Sequence, residues 1–392
     1  MDKIFLTFKQ SKLLNVLFIS NIFLSFHYYL LVYINSSFLN NFFSDTQISA
    51  LYIIGSLLNT IFLLNISKIL NRFGNYRIAM VMIFLEIIAT IGMIVANAPF
   101  LIGLYFIIHQ IAVSLVGFNL DVFLETTGTD EKRTGEIRGM YMTLANITII
   151  ISTGLVALLL RHNVFWHVYL LSVVFLIPFY YLIYKYFKYS KEEPIQHIHI
   201  RGTLLYYMKD KNLYNIFISQ FMLQLFYAYM VIYTPLHLIN IGFSWTQIGL
   251  MFAIMLLPFV IFEIPIGDLA DEKYGEKEFM TIGFVIMGIA TMLMSFITIH
   301  SFWAWAVILF ITRVGASFVE ITSDSYFFKH VDQQKTNIIS FYRITRPVSF
   351  IVAPILATVT LGLMIPLQYT FILIGACMIV ATHFTLALED TK

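Results

Sequence analysis

The chain has 392 residues, of which 59% are hydrophobic and 12% charged, with a formal net charge of +2 and a mean hydropathy of +0.82. A soluble domain carries roughly 25% charged residues, so this composition excludes a soluble globular protein and describes an integral membrane protein built mainly of helix. There is no polybasic tract, which argues against nucleic acid as a partner, and no P-loop, HExxH, CxxC or GxSxG motif, which argues against an ATP-driven pump, an enzyme or a bound metal or cofactor.

In chain order, the lysines of residues 1–12 precede an apolar run that lacks a small-residue cleavage site, and it reads as a retained first span rather than a signal peptide. Using the roughly 20-residue requirement for a helix that crosses a bilayer, twelve spans fall near 13–34, 48–66, 78–96, 99–122, 139–160, 166–187, 213–239, 246–266, 279–298, 302–327, 341–363 and 366–388. The long polar connection between the sixth and seventh, with Glu192, Glu193, Pro194, His197 and His199, reads as a solvated cytoplasmic linker with room for a short interfacial helix. The expected organisation is therefore a six-helix half over 1–187, a linker over 188–212 and a second six-helix half over 213–392. The single cysteine, Cys377, stands in an apolar run, and no intramolecular disulfide is possible. Apart from Arg313, Arg343 and Arg346, which lie in spans, every lysine and arginine except Arg161 falls on one side of this topology. Positive charge marks the cytoplasmic side, which places both termini there, in a multi-pass protein of the cell membrane.

The two halves echo one another. Thr46-Gln47-Ile48 before the second span returns as Thr246-Gln247-Ile248 before the eighth, Tyr29 and Tyr33 return as Tyr229 and Tyr233, and Asp121 at the end of the fourth span matches Asp324 at the end of the tenth. After the eighth span comes a hydrophilic turn containing Gly267, Leu269, Ala270, Asp271, Gly275 and Lys277. A weaker copy, with Ser67, Asn71, Arg72 and Gly74, follows the second span. These stretches resemble the signature loops of the major facilitator superfamily of transporters. One residue is inserted between Asp271 and Gly275, Glu272 stands where a basic residue is usual, and Asn71 replaces the acidic residue of the first copy.

The resemblance implies an all-α membrane protein of twelve transmembrane helices in two pseudo-symmetric halves, usually monomeric, with the first, fourth, seventh and tenth helices lining a central cavity. It also implies that Asp271 faces the start of the fifth span near Gly139, that Asn71 faces the start of the eleventh near Ser340, and that Arg72 pairs with Asp121. Lys273 or Lys277 with Asp324 would be the second-half analogue. Arg346 with Glu263 is the expected inner gate.

Polar groups within the spans supply the candidate site. Arg313, Ser317, Glu320 and Asp324 stand at i, i+4, i+7 and i+11 of the tenth span and so share one helical face. Gln110, Ser114, Gly117 and Asp121 repeat the layout in the fourth. The first and seventh spans add His27, Tyr28, Tyr29, Tyr33, Gln220, Gln224 and Tyr227, with His27 opposite Tyr227 by the repeat. Intramembrane charge is costly and commonly functional. Arg313 is thus expected to meet an anionic or polar solute, while Glu320, Asp121, His27 and Glu86 are the proton-coupling candidates. A structural pair closing onto neighbouring helices is the competing reading for Arg313 and Glu320, and Glu86 reads better as a hydrogen-bonding partner of an adjacent helix. His109 reads as off the cavity stripe.

The functional expectation is a secondary transporter moving a small solute by alternating access, with proton-coupled efflux as the leading form. Uptake of a polar or anionic nutrient is one alternative; a non-transporting membrane sensor with a transporter fold is another.

Overall fold

The computed structural model describes residues 12–127, 134–160, 164–188, 200–270, 274–330 and 341–389. Among them, twelve helices are long and apolar enough to cross a membrane. The first six spans are Lys12–Leu31, Asp45–Leu64, Asn75–Val95, Pro99–Thr127, Thr134–Leu159 and Trp166–Tyr186. The second six are Lys211–Ile241, Trp245–Leu269, Glu276–Met294, Phe302–His330, Phe341–Gly362 and Leu367–Leu386. No strand occurs among the described residues.

The internal repeat extends to backbone geometry. Ser44 caps the second span and Ser244 the eighth, each accepting from the backbone N–H of a glutamine three residues on, Gln47 or Gln247. The glutamine side chain accepts in return from the serine backbone N–H at 3.0 Å in both copies. This reciprocal box satisfies donors that a helix start otherwise leaves open. Gly74 and Gly275, which precede the third and ninth spans, both sit at φ 84°, a conformation that L side chains resist and glycine accepts.

Three local differences from the sequence reading have physical causes. The first span ends at Leu31, three residues early, because the chain turns into a short helix, Asn35–Leu39. The first signature stretch is not a loop: Ile66–Phe73 is a helix that buries Ile66 and Leu70. The linker is only partly solvated. Its described part forms the helix Ile200–Lys209, and Tyr207, 1% exposed, packs its ring 5.3 Å from Phe217 and 5.2 Å from Phe341.

The halves meet unequally on the two faces. On the face away from the termini, the Ser49 hydroxyl lies 2.7 Å from that of Tyr233, the Tyr33 ring 4.9 Å from Phe252 and the Phe165 ring 5.8 Å from Trp245. A Cβ on Gly249 would lie 2.7 Å from the Ala157 backbone nitrogen, so the fifth and eighth spans touch backbone to backbone there. Lipid gives helices no hydrophobic reason to associate, and close packing of small residues supplies the attraction instead. On the terminal face, the fourth and eleventh spans meet through a salt bridge, Arg343 Nη1 to Asp121 Oδ2 at 2.9 Å, with each side chain 33% exposed.

Candidate substrate site between the halves

The spacing of the tenth span brings Arg313 and Glu320 to one face, toward the first, seventh and eleventh spans. Arg313 is 1% exposed. Its guanidinium carbon lies 4.8 Å from the Phe226 ring centroid and 5.5 Å from that of Tyr227, and the Tyr33 hydroxyl is beside it. Its Nη1 is buried without a hydrogen-bond partner. Aromatic faces attract a desolvated cation by about 2 kcal/mol, which offsets part of the cost of burying it but leaves that donor open.

About two turns further on, Glu320 Oε2 accepts from the Tyr227 hydroxyl at 2.6 Å. The carboxylate is within electrostatic reach of Arg346 and Arg313. Arg346, on the eleventh span, crosses to the other half and donates from Nη2 to the Tyr28 hydroxyl at 2.8 Å. Arg346 is exposed although it has partners from both halves, so solvent enters between them. It lies deeper than Arg343, and the far face is packed shut, so this access is from the terminal face. Opposite Glu320 in the repeat stands Gly117, and the space in front of its missing Cβ is empty to 4 Å. The cavity thus has one charged wall, from the tenth and eleventh spans, and one uncharged wall of Tyr28, Tyr29 and Tyr33.

Other candidates lie elsewhere. Gln110 Nε2 donates to the Leu51 carbonyl at 3.4 Å and its Oε1 accepts from Ser56 at 3.4 Å. Ser114 accepts from Asn59 at 2.9 Å. Both residues therefore brace the second span. Gln220 accepts from Ser323 at 3.2 Å, Ser317 donates back to the Val314 carbonyl, and Gln224 is half-buried. His27 turns away from Tyr227 into the N-terminal half, where its Nε2 lies 2.7 Å from Glu86 Oε1. Glu86 is not alone, since His109 Nδ1 reaches the same oxygen at 2.5 Å. The adjacent-helix reading of Glu86 matches this arrangement, and His109, expected off the cavity stripe, is its second partner.

The gate pairs also differ. Asp121 takes Arg343 rather than Arg72; Arg72 is exposed and lies over the Phe73 ring. Arg346 takes Tyr28, while the Glu263 side chain lies outside the described residues. So do Asp271, Lys273, Ser340 and the side chain of Gly139's neighbourhood, and with them the expected helix-end contacts of Asp271 and Asn71. Asp324 is within electrostatic reach of the Tyr342 hydroxyl. Near Gly275 and Lys277, the fully buried Glu276 pairs instead with Lys329 of the tenth span. The pairs Arg343–Asp121, Arg346–Tyr28 and Lys329–Glu276 were not read from the sequence; the repeat aligns equivalent residues, whereas these contacts join non-equivalent ones.

Among the described residues, twelve apolar helices form two like halves around a charged cavity. Residues 216–391 match the family model of the Major Facilitator Superfamily. The fold is similar to that of a mutant of the nucleoside transporter NupG, with a TM-score of 0.75 and 13% identity over 96% of this chain and 100% of that one. It is equally similar to an auto-inhibited POT family peptide transporter, with a TM-score of 0.76 and 11% identity over 97% and 98%. No curated protein matches the chain in sequence. The family resemblance in sequence thus lies in the C-terminal half, while the fold shared with the two solved transporters spans nearly the whole chain.

Proposed function

We propose that the protein is a proton-coupled symporter of the cell membrane, working as a monomer and moving a small organic anion by alternating access. The observation that carries this reading is the buried Arg313 guanidinium with Nη1 unfilled, set on a wall it shares with Arg346 and Glu320. That wall carries two positive charges and one negative. With Glu320 ionised, the carboxylate competes with a solute anion for the two guanidiniums. A proton on Glu320 removes the competitor, so proton and anion bind together better than either binds alone. Co-binding favours uptake down an inward proton gradient over the exchange that efflux requires. The two similar structures are those of a nucleoside and a peptide transporter, which supports a polar organic cargo, and the tyrosine wall suits its uncharged part.

Alternating access needs two states within a few kcal/mol of each other. The packed far face and the part-exposed Arg343–Asp121 bridge on the terminal face fit the state open toward the termini, which positive charge assigns to the cytoplasm.

Proton movement in sealed proteoliposomes with an imposed pH gradient tests this, using panels of organic anions, neutral solutes and cations. Addition of an anion on the acidic side is expected to carry protons inward with it, and Glu320→Gln is expected to abolish proton movement while labelled anion still exchanges across the membrane. Protons moving only against a cation, in the opposite sense, would establish efflux by exchange and overturn the symport reading.

A further inference from the structure

The N-terminal half holds a second cluster of titratable groups, remote from the charged wall. His27, from the first span, Glu86, from the third, and His109, from the fourth, are respectively 0%, 0% and 3% exposed. We propose that these three residues form a proton-binding site separate from Glu320, with the bound proton on His27 and the negative charge on Glu86.

The hydrogen-bond directions decide the placement. The Tyr169 hydroxyl donates to Asn35 Oδ1 at 2.7 Å, so the Asn35 amide nitrogen faces His109 Nε2 at 3.2 Å and donates to it. An imidazole nitrogen that accepts carries no proton. His109 therefore has its single proton on Nδ1 and gives it to Glu86 Oε1. His27 Nε2 gives to the same oxygen at 2.7 Å. An oxygen that accepts from two imidazoles is not a hydroxyl. Glu86 Oε2 is buried without a partner, and a proton placed there would be a donor with no acceptor. Glu86 is thus a carboxylate, and a lone carboxylate in a dry interior is very costly.

His27 is built to take the compensating charge. Its Nδ1 lies 2.6 Å from Ser172 Oγ, and that hydroxyl also lies 3.3 Å from the His27 carbonyl. When Nδ1 is bare, Ser172 donates to it. When Nδ1 is protonated, Ser172 accepts and turns its own proton to the carbonyl. His109 has no such partner. Glu86, Ser172 and His109 face His27; around them Thr90 donates to Glu86, and Asn35, held by Tyr169, meets His109, and none of these outer groups is a cation. The same donor set is one that zinc uses, but ligand atoms around a tetrahedral zinc stand roughly 3.3 Å apart, whereas these contacts are 2.5 and 2.7 Å, the distances of hydrogen bonds. His27 immediately precedes Tyr28, so the bound proton sits one residue from the hydroxyl that holds Arg346.

The test is nitrogen NMR of the full-length, histidine-labelled protein in phosphatidylcholine nanodiscs at pH 7, after exchange into deuterated water. One histidine ring with two exchange-protected N–H groups is expected. His27→Gln should remove it, Glu86→Gln should convert it to a neutral ring, and Glu320→Gln should leave it in place, which separates this site from the proposed coupling group. If every protected ring in the wild-type protein is neutral, the cluster holds no proton and the proposal fails; that measurement needs no variant to fold. One zinc ion retained per chain, and lost in His109→Ala, would also overturn it and make the cluster a metal site.

Discussion

The histidine–glutamate cluster of the N-terminal half stays inside that half; Arg313, Glu320 and Arg346 of the C-terminal half face the space between the two. His27, Glu86 and His109 are drawn from three helices of one bundle, and both histidines bond the same glutamate oxygen. Arg313, Glu320 and Arg346 reach the cavity, where Arg346 meets Tyr28 of the other half and Arg313 keeps an open donor. Both sets consist of intramembrane ionisable residues, which sequence treats alike. The difference teaches that cost alone does not identify a transport site. A charge that is neutralised within its own bundle holds helices together, and a charge left partly unsatisfied at a moving interface is available to a cargo.

Paired substitutions break this comparison most directly. Glu86→Ala strips a buried partner from two histidines and is expected to lower stability by about 3 kcal/mol, read as a fall in the thermal unfolding midpoint of purified protein, while the cargo KM of the surviving fraction stays within twofold. Arg313→Ala should do the reverse: the midpoint changes little and affinity for an anionic cargo falls more than tenfold, about 2 kcal/mol, with a neutral analogue nearly unaffected. Equal losses for both analogues would make Arg313 a structural residue like Glu86.

Smaller effects test the interface itself. Gly249→Val forces side-chain atoms into the Ala157 backbone, an overpacking cost of about 1–3 kcal/mol. It is expected to raise labelling of a Ser49→Cys reporter on the far face, measured in a Cys377→Ser background. Asp121→Asn removes one partner of a part-exposed bridge, which screening limits to about 0.2–1 kcal/mol. Because the bridge is formed in the terminal-open state, its loss should shift the balance away from that state by up to about fivefold, read as decreased labelling of a reporter cysteine on the terminal face.

Much of the fold was legible because membrane spans announce themselves by length and apolarity, and because the repeat is written twice. The Thr-Gln-Ile pair led to matching capping boxes at Ser44 and Ser244, and the paired glycines to matching backbone angles at Gly74 and Gly275. The cavity was legible only where one helix sufficed to define it: the i, i+7 spacing of Arg313 and Glu320 fixes a shared face whatever surrounds it. His27 was misdirected by the repeat. Its counterpart Tyr227 faces the cavity and bonds Glu320, but the two halves have diverged in which side of the first and seventh helices carries the polar group. Glu86 and His109 are on different spans at a sequence separation that no local pattern encodes, so only the packing of the third and fourth helices reveals them as partners.

From Ala228 to Leu238 the seventh span is buried at every position, so this part of the helix touches neither lipid nor water once the protein is complete. During synthesis the eighth to twelfth spans follow it, and the Trp305 and Phe371 rings that flank His237 do not yet exist when it emerges from the ribosome. Thr234 and His237 must therefore cross the bilayer uncovered, on the strength of the apolar residues around them. The composition of this segment answers to two successive solvents, hydrocarbon and then protein. A polar substitution that the finished core would accommodate can still fail at the earlier step, and would be read as lost expression rather than lost transport.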